Sequence, residues 1–196
     1  MELHTTISNT ISESIAVKRL LLEHTDTISA IGRTLCECFA QGRKVLLCGN
    51  GGSAADAMHL EGEFVCRFKK NRKALPAVAL GSGLPTASAI GNDFGFDEIF
   101  SRQVEAFGLP GDALIAISTS GNSSNVIQAV QMAKSLGIHT IGMLGGNGGK
   151  LAAMVDDSLI IPSDVTARIQ ECHILVGHIL CDIVETELFG NEGSVP

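Results

Sequence analysis

His59 and Glu63 stand four residues apart, one helical turn, so on a helix both side chains leave the same face. The helix they imply starts directly after a glycine-rich turn, Gly49-Asn50-Gly51-Gly52-Ser53. Far along the chain, Gln170, Glu171, His173 and His178 share a second helical segment. Imidazole and carboxylate ligands on packed helices are a normal way to hold zinc or a similar divalent ion. The same residue types also occur as surface pairs or as hydrogen-bonded core and interface histidines, and spacing alone leaves both readings open. Eight residues from Gln170 to His178 amount to about 12 Å along a straight helix and about 80° around it. One ion reaches both only across a bent helix start or with a ligand from a second subunit, and a site at a subunit interface is the favoured arrangement.

A second chemistry is written in the turns. Gly51 and Gly52 let the backbone approach a ligand closely, while Asn50 and Ser53 add side-chain hydrogen bonds. Ser118-Thr119-Ser120-Gly121-Asn122-Ser123-Ser124 places five hydroxyls in seven residues at the start of another helix. Hydroxyls, unpaired first-turn N–H groups and the helix dipole together bind a phosphate without lysine or arginine. Taken singly, either turn is explained by ordinary N-capping. Two of them after two strands of one sheet point to an anion site. Neither is a Walker A loop, for no Gly-Lys-Ser/Thr follows, and GNGGSA does not fit the dinucleotide fingerprint.

The composition narrows the partners. A formal charge of -7 over 196 residues excludes broad electrostatic capture of nucleic acid. No apolar run approaches the roughly 20 residues needed to span a bilayer, and no basic, apolar and small-residue succession marks a leader; a soluble cytoplasmic protein is expected. The 45% hydrophobic share calls for a large covered core or a sizeable subunit interface. Six cysteines (Cys36, Cys38, Cys48, Cys66, Cys172, Cys181) form no CxxC pair and read as reduced thiols.

The elements that must carry these residues alternate along the chain. Residues 3 to about 41 have apolar positions at helical spacing, among them Ile11, Ile15, Leu20, Leu21, Ile28, Ile31 and Leu35, with a break expected at Thr25–Thr27. Five apolar runs follow, at 44–49, 76–80, 112–118, 139–144 and 157–162, with helical segments at about 53–68 and 124–136 and a short one after Gly149. Continuous apolar strands separated by helices indicate a parallel sheet covered on both faces. Residues 165–189 read as one long final helix, too apolar for the edge of a monomer. The expected fold is therefore α/β, a three-layer αβα sandwich around a five-stranded parallel sheet. It forms a single domain, with N-terminal helices over about 1–41, the sheet core over about 44–163 and the C-terminal helix over about 165–190.

The runs GNGGSAADAMH, AIGNDFGFDEIFSRQVEAFG, ISTSGNSSNVI and RIQECHILVGHILCDIVE resemble the phosphoheptose isomerases of the sugar isomerase (SIS) superfamily, in order and over roughly residues 5 to 190. STSGNS marks only the superfamily; its combination with His59, Glu63, Gln170 and His178 is more specific. The resemblance implies a homotetramer with active sites between subunits and one zinc ion per subunit, held by His59, Glu63, Gln170 and His178. It implies substrate contacts from Asn50, Gly51, Gly52, Glu63, Asn92, Asp93, Ser118, Thr119, Ser120, Ser123 and Gln170. The implied reaction converts sedoheptulose 7-phosphate, a phosphorylated seven-carbon sugar, to D-glycero-D-manno-heptose 7-phosphate, the first step toward the ADP-heptose of lipopolysaccharide.

These residue types suit such chemistry. Moving a carbonyl from carbon 2 to carbon 1 requires taking a proton from carbon 1 and returning one to carbon 2, work for a carboxylate such as Glu63. His178 can move protons between the oxygens or assist ring opening, and zinc can polarise the carbonyl. Glu63 is implied both as ligand and as base, and the base role is taken as decisive. The chain departs from the family at Gly81-Ser82-Gly83-Leu84-Pro85, where relatives commonly carry Ser-Asp or Thr-Asp. The alternative is a non-catalytic SIS protein that binds a sugar phosphate or the bacterial replication initiator; Glu63 and His178 together favour the enzyme.

Overall fold

In the computed structural model, which describes residues 2–190, the five apolar runs form β1 (Val45–Gly49), β2 (Ala77–Ala79), β3 (Ala113–Ser118), β4 (His139–Gly145) and β5 (Asp157–Ile161), all parallel, in the order β2-β1-β3-β4-β5. Alternate residues of a strand point to opposite faces, and each face acquires its own core. Val45 and Leu47 of β1 and Ile115 and Ile117 of β3 join one cluster, whereas Leu46, Cys48, Leu114 and Ala116 join the other. The first face is covered by α2 (Thr25–Ala40), α3 (Gly52–Val65) and α7 (Thr166–Phe189); the second by α4 (Leu84–Asp93), α5 (Ser101–Phe107) and α6 (Ser124–Ser135). The result is the expected three-layer αβα sandwich. Outside it, α1 (Leu3–Leu20) lies against α7 and buries none of its residues.

Two expectations shift. The break between the N-terminal helices is a short 3-10 turn at Leu21–His24, and Thr25–Thr27 already form the first turn of α2. The helix after β1 stops at Val65 rather than Phe68, because the chain turns away at Cys66. The final helix has a buried apolar face inside the chain and a half-buried one with Ile174, Leu175, Ile179 and Ile183. Ile169, Cys172, Val176, Leu180, Cys181 and Val184 are buried within the chain against α2, α3 and the sheet. A further apolar stripe lies on α1, where Leu3, Ile7, Ile11 and Ile15 follow one another every fourth residue and all are exposed. Cys38, Cys48, Cys172 and Cys181 are buried, and all six cysteines are free thiols. No helix among the described residues is long and apolar enough to cross a membrane.

The strand order has one topological switch point. From β1 the chain moves outward to β2, then returns to place β3 on the other side of β1. The loops leaving β1 and β3 therefore diverge, opening a crevice at the carboxyl ends of the strands where open α/β sheets bind ligands.

Candidate active site

The two diverging loops are those singled out by their composition. Gly51 enters α3 with φ +55°, a conformation that glycine adopts freely, and the space beyond it is open. Ser123 enters α6 in an extended conformation. Neither helix has a side-chain hydrogen bond capping its start, so capping does not account for the hydroxyls. Ser118 and Ser123 instead hydrogen-bond each other through their Oγ atoms at 3.0 Å across the turn. Thr119 and Ser120 line a cavity of about 570 Å³ with Gly145, Asn147, Ser163, Asp164 and Thr166.

Asn50 departs from its expected role. Its amide forms a reciprocal pair with Asn125, Nδ2 to Oδ1 at 2.8 Å one way and 2.9 Å the other, so the side chain binds the two loops together across the crevice. Asn125, buried at the first turn of α6, escaped the sequence reading although it directly follows the hydroxyl run. Asp164 and Ser163 escaped as well, yet they sit in the loop from β5 to α7, a third strand-to-helix turn subject to the same rule. A second cavity of about 250 Å³ opens beside Gly49, Asn50 and Gly51 and is lined by Met58, Gly81, Ser82 and Phe96, so the divergent 81–85 loop does face the crevice.

The helices behind the loops converge. Gln170 of α7 covers Gly52, where a Cβ would lie 2.2 Å from its Nε2; farther along, a Cβ on Gly177 would lie 2.6 Å from Leu60. The two helices thus run side by side in the same direction, and His59 meets His178. Their Nε2 atoms are 2.8 Å apart, and Glu63 Oε1 lies 3.2 Å from His59 Nε2. A nitrogen-to-nitrogen hydrogen bond here pairs unlike tautomers, one ring presenting Nε2–H and the other a bare Nε2, and the same two nitrogens, both bare, would face a common cation. The ligand atoms of His59, Glu63 and His178 all lie within 4.8 Å of one another, and two imidazole nitrogens with a carboxylate oxygen are a donor set that suits zinc. Glu63 keeps its second oxygen for another partner.

The remaining candidates are elsewhere. Gln170 covers Gly52, which is seven residues before His59 along α3, roughly 10 Å by helical rise, so its backbone position is set apart from the other three along the helix pair. His173 is fully buried and its Nε2 contacts the Leu144 carbonyl at 3.1 Å. Burial outweighs that bond and pushes its pKa down to about 4, which makes it a neutral core histidine. Glu171 pairs with Arg168 at 2.5 Å and accepts from Ser14. Asn92 donates to Asp93 at 2.8 Å on the exposed end of α4, and neither lines the two cavities described above.

Residues 12–145 match the SIS domain family. The phosphoheptose isomerase of Clostridium acetobutylicum is 51% identical over 185 residues, which is 93% of this chain and 94% of that protein. The chain belongs to the phosphoheptose isomerase family. The phosphoheptose isomerase of Trichlorobacter lovleyi is 53% identical over 173 residues, 88% of each chain. A solved phosphoheptose isomerase from Neisseria gonorrhoeae superposes with a TM-score of 0.90 at 42% identity, covering 94% of this chain and all of that one. The activity of the family is that of an aldose-ketose isomerase.

Proposed function

We propose that this chain interconverts sedoheptulose 7-phosphate and D-glycero-D-manno-heptose 7-phosphate, with Glu63 and His178 as the reacting groups. The observation that carries the reading is the convergence of Glu63, His59 and His178 in a chain that also has an uncapped helix start lined with hydroxyls. Ser118, Thr119, Ser120 and Ser123 and the first N–H groups of α6 receive the phosphate, which explains how a chain of charge -7 holds an anion. Gly51, Gly52 and Gln170, at the start of the α3–α7 contact, would meet the body of the sugar. Glu63 takes a proton from carbon 1 of the open-chain ketose, exchanges it with solvent and returns one to carbon 2, while His178 moves a proton between the two oxygens. Zinc held by His59, Glu63 and His178 would polarise the carbonyl and stabilise the enediolate. Gln170, placed beside Gly52, serves the substrate of its own subunit rather than the ion.

The same reading takes the chain as one SIS domain that works as a cytoplasmic homotetramer, at the first step toward ADP-heptose. Two observations support shared sites. The stripe Leu3, Ile7, Ile11 and Ile15 lies open at a spacing suited to helix–helix packing, and Asn92 and Asp93 lie exposed on α4 outside the two cavities described above, where a neighbouring subunit would complete their surroundings.

The test is turnover of sedoheptulose 7-phosphate by purified protein, before and after chelation and zinc add-back. Aldose formation that falls at least about tenfold on chelation and returns with zinc is expected. Full turnover in the chelated protein would remove zinc from the reading and leave Glu63 and His178 to act alone.

A further inference from the structure

The segment that follows α3, residues 66–73, carries no residue assigned to the site, yet it is fastened by two buried charges. Glu185 lies seven residues beyond His178 on α7, and its side chain is 1% exposed. Its Oε1 accepts from the Phe68 N–H at 2.8 Å and from Arg72 Nε at 3.0 Å; its Oε2 accepts from the N–H groups of Lys69 and Lys70 at 2.9 and 2.8 Å. Burial works against the charge on Glu185, but the three backbone donors and Arg72 outweigh it and hold the carboxyl below its ordinary range. Arg72, also 1% exposed, turns its remaining nitrogens to the end of α3. Nη1 donates to the carbonyls of Phe64 and Lys73 at 2.7 and 3.1 Å, and Nη2 donates to the carbonyl of Glu63 at 2.8 Å.

A buried ion pair is a weak way to gain stability, since an apolar pair of similar volume does as well or better. What this pair supplies is geometry at the reacting groups. The clamped segment lays the Phe68 ring over the His178 imidazole, with centroids 5.4 Å apart and planes 26° from parallel. The other arm of Arg72 pins the peptide of Glu63. On the reading of Glu63 and His178 as the reacting groups, we propose that Arg72 and Glu185 are a positioning pair, which orients His178 through Phe68 and Glu63 through its backbone carbonyl.

Glu185→Gln keeps the volume but puts an NH2 donor among donors, breaking the contacts of one oxygen. Arg72→Lys keeps the charge but cannot reach three carbonyls and a carboxylate at once. Each is expected to lower kcat on sedoheptulose 7-phosphate by roughly 10- to 100-fold, the scale of a small misplacement of reacting groups, with KM within about threefold in protein of wild-type circular dichroism. Phe68→Leu tests the ring with the clamp intact and so covers the case in which the clamp variants do not fold: it is expected to lower kcat about tenfold, and Phe68→Tyr, which retains a stacking ring, to restore it. Wild-type kcat in folded Arg72→Lys or Glu185→Gln overturns the proposal, as does wild-type kcat in Phe68→Leu or a loss confined to KM. An inactive wild-type protein would be a different failure, that of the isomerase reading itself.

Discussion

Replacing Glu63 by glutamine is expected to lower kcat by about 10² to 10⁴, the usual loss when a positioned acid or base is removed, while KM changes little. The amide keeps the shape of the carboxylate and its place on α3, but it cannot accept the carbon-bound proton. The fold should not register the change. The Glu63 side chain is 21% exposed and its close polar neighbour is His59, so the pair contributes at most about 1 kcal/mol, and the melting temperature should stay within a few degrees. Steady-state kinetics and a thermal melt on the same preparation separate the two effects. Normal kcat in a folded variant removes Glu63 from the mechanism. A large loss of thermal stability would show that the residue is a structural ligand first and a base second.

Gly121→Ala is expected to cost at least about 4 kcal/mol, the range reserved for a few severe mechanisms. Two of these act at this residue together. Gly121 has φ +64°, where an alanine is strained, and a Cβ there would lie 2.0 Å from the carbonyl oxygen of Gly148 and 2.4 Å from its carbon. Those neighbours are backbone and cannot swing aside. The close approach docks the hydroxyl turn on the Gly145–Lys150 turn, where Leu151 N–H donates to the Gly121 carbonyl at 3.0 Å and Lys150 N–H to Asn122 Oδ1 at 3.1 Å. Chemical denaturation with circular dichroism measures the loss directly. Any folded fraction should bind sugar phosphate poorly, because the turn that holds Ser118, Thr119 and Ser120 in place has moved. An alanine variant of near wild-type stability would mean that the two turns are separable and that the phosphate site is not built by their contact.

The sheet was legible because its strands are apolar almost throughout, and a parallel sheet buried on both faces leaves no other pattern. The two ligand turns were legible from glycine and hydroxyl content, but the meaning of Asn50 was not: its partner Asn125 is 75 residues away, and no local signal tells an amide that meets substrate from one that joins two loops. The helix spacing was informative in a negative way. It ruled out a straight-helix ligand set with both Gln170 and His178, and the structure places those residues at opposite ends of the α3–α7 contact. The Arg72–Glu185 clamp was illegible because it joins residues 113 apart, and arginine and glutamate read as surface charges unless burial is known. The apolar character of α7 was legible but not its division: a wide apolar face states that a helix is covered, but not how much of the cover lies within the chain.

The central claim is that this crevice moves a carbonyl between carbons 1 and 2 of a phosphorylated ketose by proton transfer through Glu63. Proton NMR of the purified protein with sedoheptulose 7-phosphate in deuterium oxide tests it most directly. The predicted result is a new aldose carrying deuterium at carbon 2, formed by the wild type and not by Glu63→Gln. Sugar-phosphate binding without any aldose would contradict the claim and make this a binding protein on an isomerase fold; aldose formed as fast by Glu63→Gln as by the wild type would take the proton shuttle away from Glu63.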